Sequence, residues 1–188
     1  MKLMKLVPVF ALALLAMSCA PSIPQADVDA ANAAFNDAKT AQADVYAPDS
    51  FRVASNANDA LQSNLSAKDY GKTADLAKAV VETSNKAKAD VAAGIETVKT
   101  DVATLTTDVT TISDLVKKEL DKAVKAGKKA KIDVAKTQAD VAAADQNVTD
   151  AKTAADASNF ADAKTKLTAA KTTYTDTQTA LEAAGYKN

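Results

Sequence analysis

Apolar residues recur along most of this chain at steps of three and four, and polar residues fill the positions between them. Ala30, Ala33, Ala34, Ala38, Ala41 and Val45 mark a first helix. Tyr46-Ala47-Pro48-Asp49 ends it, because the residue before proline avoids the α-helical region. Pro48 suits the first turn of a second helix, and Asp49 favours its dipole. That helix carries Phe51, Ala54, Ala57, Leu61 and Leu65 and ends at Ser66-Ala67-Lys68-Asp69. A third begins near Tyr70 with Ala74, Ala77, Val80, Val81 and Ala87 and contains the most regular pattern in the chain. Val91, Ile95, Val98, Val102, Leu105, Val109, Ile112 and Val116 alternate steps of four and three, an a/d heptad seam. A helix over residues 69–126 is about 87 Å long. Gly127, among closely spaced lysines, predicts its end. Val134, Val141 and Val148 mark a returning helix, and Ser158-Asn159 predicts the cap of a last one. That last helix carries Phe160, Ala163, Leu167, Ala170, Tyr174 and Leu181, with Gly185 as its stop.

These elements predict an all-α protein: an elongated antiparallel helical bundle with a long central helix and a coiled-coil-like seam. Residues 26–92 form an N-terminal three-helix region, and residues 93–188 an antiparallel bundle continuous with it. The valines at 134, 141 and 148 match an intramolecular antiparallel partner for the seam, so a monomeric bundle is expected. Residues 67–72 and 157–162 form a faint repeat, each a polar turn, an aromatic and an alanine-rich helix. Two independent helix starts account for it most simply; two three-helix halves sharing the long helix is the sharper alternative. Phe35, Tyr46, Phe51 and Tyr70 are expected as core anchors, since alanine helices need a few large side chains to fill the space between them.

The first residues follow another pattern. Lys2 and Lys5 precede an apolar run over residues 6–17, too short to cross a bilayer but of a length suited to an export signal. The run ends at Leu15-Ala16-Met17-Ser18-Cys19, which resembles the lipobox of bacterial lipoproteins. Ser18 takes the small position, and Ala16 stands where that family favours leucine. The resemblance implies a signal peptide over residues 1–18, cleavage between Ser18 and Cys19, and lipid attachment at Cys19. The alternative is an ordinary secreted protein, with Ala16-Met17-Ser18 or Ser18-Cys19-Ala20 as the cleavage site. Residues 19–25, with Pro21 and Pro24, read as a lipidated tether. Two or three acyl chains give stable anchorage, whereas one is marginal.

Composition narrows the chemistry. Histidine is absent and Cys19 is the only cysteine, which removes nearly all zinc, copper, haem and iron–sulfur sites along with histidine-based acid–base work and cysteine nucleophiles. No cofactor is expected. Without its first 18 residues the chain carries 21 basic and 24 acidic residues, and Arg52 is its only arginine. That leaves no electrostatic footprint for nucleic acid. Asp90, Asp101, Asp108, Asp133 and Asp140 each precede a seam position and are expected at solvent beside a helix interface. No calcium loop is present, and no catalytic or metal residue is assigned. The lysines around Gly127 read as a solvated hairpin tip, with anionic lipid or cell-wall polymer as the functional alternative.

Two further resemblances concern the body. Residues 29–92, through Tyr46-Ala47-Pro48, Ala54, Leu61 and Tyr70, resemble an uncharacterised family of small helical envelope lipoproteins. That family often accompanies outer-membrane or peptidoglycan-associated modules. Thr100-Asp101-Val102-Ala103-Thr104-Leu105 and Thr107-Asp108-Val109-Thr110-Thr111-Ile112 resemble murein-lipoprotein heptads, although Asn188 follows Lys187 where that family ends in a linking lysine. Together these imply an exported, non-enzymatic lipoprotein held to the bacterial outer membrane, with a structural role in the envelope. An envelope protein or peptidoglycan is the expected partner. A surface-exposed adhesive or ligand-binding lipoprotein is the alternative.

Overall fold

The computed structural model describes residues 22–187. The expected signal segment, the Ser18/Cys19 junction and the first residues of the tether lie outside them. The described chain is all-α: α1 (Gln25–Thr40), α2 (Ala43–Tyr46), α3 (Pro48–Ala67), α4 (Thr73–Ala126), α5 (Val134–Asp156) and α6 (Phe160–Ala183). At 1.5 Å per residue the 54 residues of α4 span about 81 Å. Residues 70–72 form a 3-10 turn ahead of it, so α4 starts four residues later than the sequence predicts.

The other helices pack along α4 in two groups. α1 runs parallel to it, with Asp27 beside Asp75 and Lys78, and Asp37 paired with Lys88. α3 returns antiparallel, Ser50 bonding Asp90 near one end and Asn64 bonding Thr73 near the other. α5 descends along the second half of α4 and α6 ascends beside both. One core joins Phe35, Tyr46, Leu61, Val80 and Val91; a separate one joins Val109, Val116, Val141, Leu167, Tyr174 and Leu181. The molecule is therefore a rod of two three-helix segments that share α4.

The seam of α4 is longer than the valine pattern reveals. Thr73, Ala77, Val80, Ser84, Ala87 and Val91 are all buried, at steps of four and three, so the alternation begins well before Val91. From Ala87 through Val91 to Ile95 two four-residue steps fall in succession. Such a stutter locally unwinds a supercoil, and it lies where α4 passes from one set of partners to the other. Here Gly94 meets the turn between α2 and α3: a Cβ on Gly94 would lie 1.7 Å from the Tyr46 carbonyl oxygen. From Ile95 to Leu105 the seam is only half-buried, and full burial resumes at Val109.

Several expectations need correction. The first helix does not run to Val45. It stops at Thr40, and Gln42 adopts a left-handed backbone (φ 59°) before the single turn of α2. This break aims Tyr46 into the core, something no local residue preference signals. The principal partner of the α4 seam is α6 rather than α5, which packs mainly on α6. The α6 interior, Ala163, Leu167, Ala170, Tyr174, Thr177 and Leu181, also follows heptad steps. The sequence marks all of these but Thr177 as the stripe of the last helix; what it leaves open is that they face α4. Phe35 and Tyr46 are buried as expected, and Phe51 stacks on Phe35 at 5.5 Å, but Tyr70 is half-exposed and outside the core.

The turns explain the repeat locally. Lys68 and Ser158 occupy equivalent places in residues 67–72 and 157–162, and both adopt left-handed φ values. Asp69 N–H donates to the Asn64 carbonyl and Lys68 N–H to that of Leu65. Asn159 and Ser158 donate likewise to Ala154 and Ala155. Both helices thus end in a Schellman motif without glycine, and a third such end uses Gly185. Asn159 then caps α6 through Asp162 N–H, and Asp133 caps α5 through Lys136 N–H.

Candidate interaction surface

Polar contacts run along both flanks of the second core. Lys164 Nζ lies 2.7 Å from Asp101 and Lys171 Nζ 2.7 Å from Asp108. Both pairs are 63 residues apart, which fixes α6 parallel to α4 in one register. Asp101 and Asp108 keep about two-fifths of their side-chain surface exposed, so they are not simply at solvent, as the sequence predicts, but bridge two helices. Exposed pairs contribute at most about 1 kcal/mol each; their geometry serves alignment more than stability. Asp90 accepts from Lys86 and Ser50, which together hold its carboxyl below the usual range. Asp140 pairs with Lys136, and that carboxylate raises the lysine above its ordinary value.

On the other flank Tyr174 sits at the centre of a polar group. Its ring is fully buried, and its hydroxyl donates to Asp145 at 2.6 Å. Lys117 Nζ reaches the same carboxylate oxygen at 2.7 Å. Burial opposes ionisation of Asp145, but the bonds from Lys117 and Tyr174 outweigh it and lower its pKa. Burial pushes the Tyr174 phenol up from 10.0 to about 12, and Asp145 adds to the effect against a bond to Ser113. A nucleophile or general base needs a shift the other way; this phenol is held protonated as a strut between α4, α5 and α6.

The sign of that shift gives a testable pH dependence. A raised folded-state pKa stabilises the protein fully below pH 10, and this contribution is lost as the pH rises towards about 12. Wild type is expected to lose unfolding free energy across that interval faster than Tyr174→Phe. Parallel denaturant titrations at each pH, with the absorbance of tyrosinate followed directly, measure the difference. Identical slopes for the two proteins contradict the assignment.

The surface carries shallow grooves. One between α5 and α6 is lined by Asp133, Lys136, Asp140, Thr173 and Asp176; another, more apolar, lies against Val102, Val148, Ala151, Ala155 and Leu167. No group of three histidine, cysteine or carboxylate side chains is placed to hold a metal among the described residues.

The two ends of the rod differ in charge. The described chain enters at the end where α4 starts, beside the turn over residues 67–72. Residues 22–30 and 66–75, which lie there, hold Lys68 and Lys72 against Asp27, Asp29, Asp69 and Asp75. The opposite end is the α4–α5 hairpin, where residues 117–136 hold eight lysines against Glu119, Asp121 and Asp133. Lys125, Lys128, Lys129 and Lys131 are exposed there and form no ion pair among the described residues. Tyr186 closes the end of α6 onto the hairpin, its hydroxyl accepting from Lys131 N–H. None of the described helices is long and apolar enough to cross a membrane. No protein-family model matches the chain, and no curated protein or solved structure is significantly similar to it.

Proposed function

We propose that this protein is an exported lipoprotein, held to the bacterial outer membrane through Cys19, whose helical rod acts as a non-enzymatic spacer or scaffold in the cell envelope. The observation that carries the reading is the short apolar run ending at Ser18-Cys19, followed within a few residues by a rod entered at one end. A lipid on Cys19 tethers that end, the hairpin lies about 81 Å away along α4, and an envelope protein or peptidoglycan is the proposed partner of the rod. Stability lodged in two cores along a single long helix suits a part that holds distance.

Replacing Cys19 by serine tests the anchor. The wild-type chain is expected in the membrane fraction, released by detergent, and Cys19→Ser in the soluble exported fraction. Equal partitioning of the two removes the anchor.

The apolar groove against Val102, Val148 and Leu167 favours a second reading, a surface-exposed adhesive or ligand-binding lipoprotein. Protease treatment of intact cells separates the two: cleavage of the body supports surface display, and protection supports the spacer.

A further inference from the structure

We propose that the α4–α5 hairpin tip is an electrostatic docking site for an anionic phospholipid surface. This rests on the anchored-rod reading, which leaves that tip free at the untethered end.

Four observations converge on the tip. Lys125, Lys128, Lys129 and Lys131 crowd into seven residues at the turn, all of them exposed. Asp121, one helical turn before Lys125, makes no ion pair with it, Asp133 is engaged as the cap of α5, and the eight lysines of residues 117–136 outnumber the three carboxylates there. Gly127 (φ 53°) folds the chain sharply enough to place Lys128 and Lys129 beyond the end of α4. Val124, among the few large apolar side chains left in water, is 42 % exposed on the last turn of α4, one turn before Lys128.

The type of side chain selects the partner. Lysine is a compact point charge, whereas arginine forks suit bidentate recognition of single phosphates or carboxylates. The only arginine, Arg52, lies on α3. None of the four lysines lines either groove described above. The cluster matches a broad negative surface with an apolar layer beneath, where each lysine contributes about fivefold to partitioning. The attraction is screened as the Debye length shortens with salt.

The test uses the mature protein purified from membranes and reconstituted through its own anchor into neutral phosphatidylcholine vesicles. Vesicles rich in phosphatidylglycerol are then added, and tethering between the two populations is measured by co-sedimentation and light scattering. Tethering is expected to anionic vesicles, not to neutral ones, and to fall as salt rises. The variant with Lys125, Lys128, Lys129 and Lys131 all changed to Gln is expected to weaken it by about a hundredfold or more. A control with Lys39, Lys72, Lys78 and Lys152 changed to Gln is expected to retain it, with both variants checked by circular dichroism. Incorporation without tethering overturns the docking site, as does undiminished tethering by the tip variant or capture by isolated peptidoglycan with indifference to anionic vesicles. Failure to incorporate counts instead against the anchor. Direct binding of the unincorporated protein to anionic vesicles, compared with the tip variant, then decides the docking site.

Discussion

Replacing Gly94 by alanine is expected to destabilise the protein by about 2 kcal/mol, although the same change in an open stretch of helix would stabilise it by about 1 kcal/mol. The new Cβ would meet the Tyr46 carbonyl, 1.7 Å from its oxygen and 2.6 Å from its carbon. Those are backbone atoms, so no rotamer change relieves the overlap. The Tyr46 segment has little room to retreat. Its N–H bonds the Gln42 carbonyl, Ala47 N–H bonds that of Ala43, and Ala43, Tyr46 and Ala47 are all buried. Overpacking of this kind costs about 3 kcal/mol, which exceeds the gain in helix propensity. For a chain of this size the midpoint of thermal unfolding should fall by about 4–8 °C. A variant as stable as wild type would show that α4 does not pass the α2–α3 turn this closely.

The second large effect is expected at Tyr174. Truncation to alanine empties the centre of the second core and is expected to cost about 4 kcal/mol. Tyr174→Phe keeps the ring and loses the hydroxyl's bonds to Asp145 and Ser113, a cost of about 1–2 kcal/mol. Denaturant unfolding of both variants separates the packing contribution from the polar one. The two cores share no residue, and Gly94 lies about 28 Å along α4 from the level of Ser113, beside Tyr174. Gly94→Ala and Tyr174→Ala should therefore add to within about 0.5 kcal/mol. Strong coupling between them would mean that the rod has one core.

Much of this fold is legible in local chemistry. Pro48 opens α3, Gly127 ends α4, and Asn159 caps α6, because each effect depends on a residue's own backbone or side chain within a few positions. The valine-rich half of the α4 seam is legible for the same reason. Its extension through Thr73, Ala77 and Ser84 is not, since those residues are as common on helix surfaces as in narrow alanine-lined cores. The valines of α5 fit an antiparallel hairpin with the seam, while α6 presents two widely spaced leucines among alanine, threonine and one tyrosine at its interior positions, so the sequence points to α5 rather than α6 as the partner. Gly94 gives no warning either: in sequence it is only a weak point in a helix, and its role appears when Tyr46 arrives from 48 residues away. The pairs of Asp101 with Lys164 and Asp108 with Lys171 depend in turn on knowing that α6 runs parallel to α4. The lysine tip was legible as a run of charge beside Gly127. What the fold adds is its place at the end of the rod opposite to the one the chain enters.

The proposal that gives this rod a direction is the lipid on Cys19, and the most direct test is mass spectrometry of the amino-terminal peptide from protein isolated out of membranes. The expected product is a mature chain that begins at Cys19 and carries diacylglycerol on its thiol, with or without an acyl group on its amine. A mature amino terminus elsewhere, or an unmodified Cys19 thiol, would contradict it.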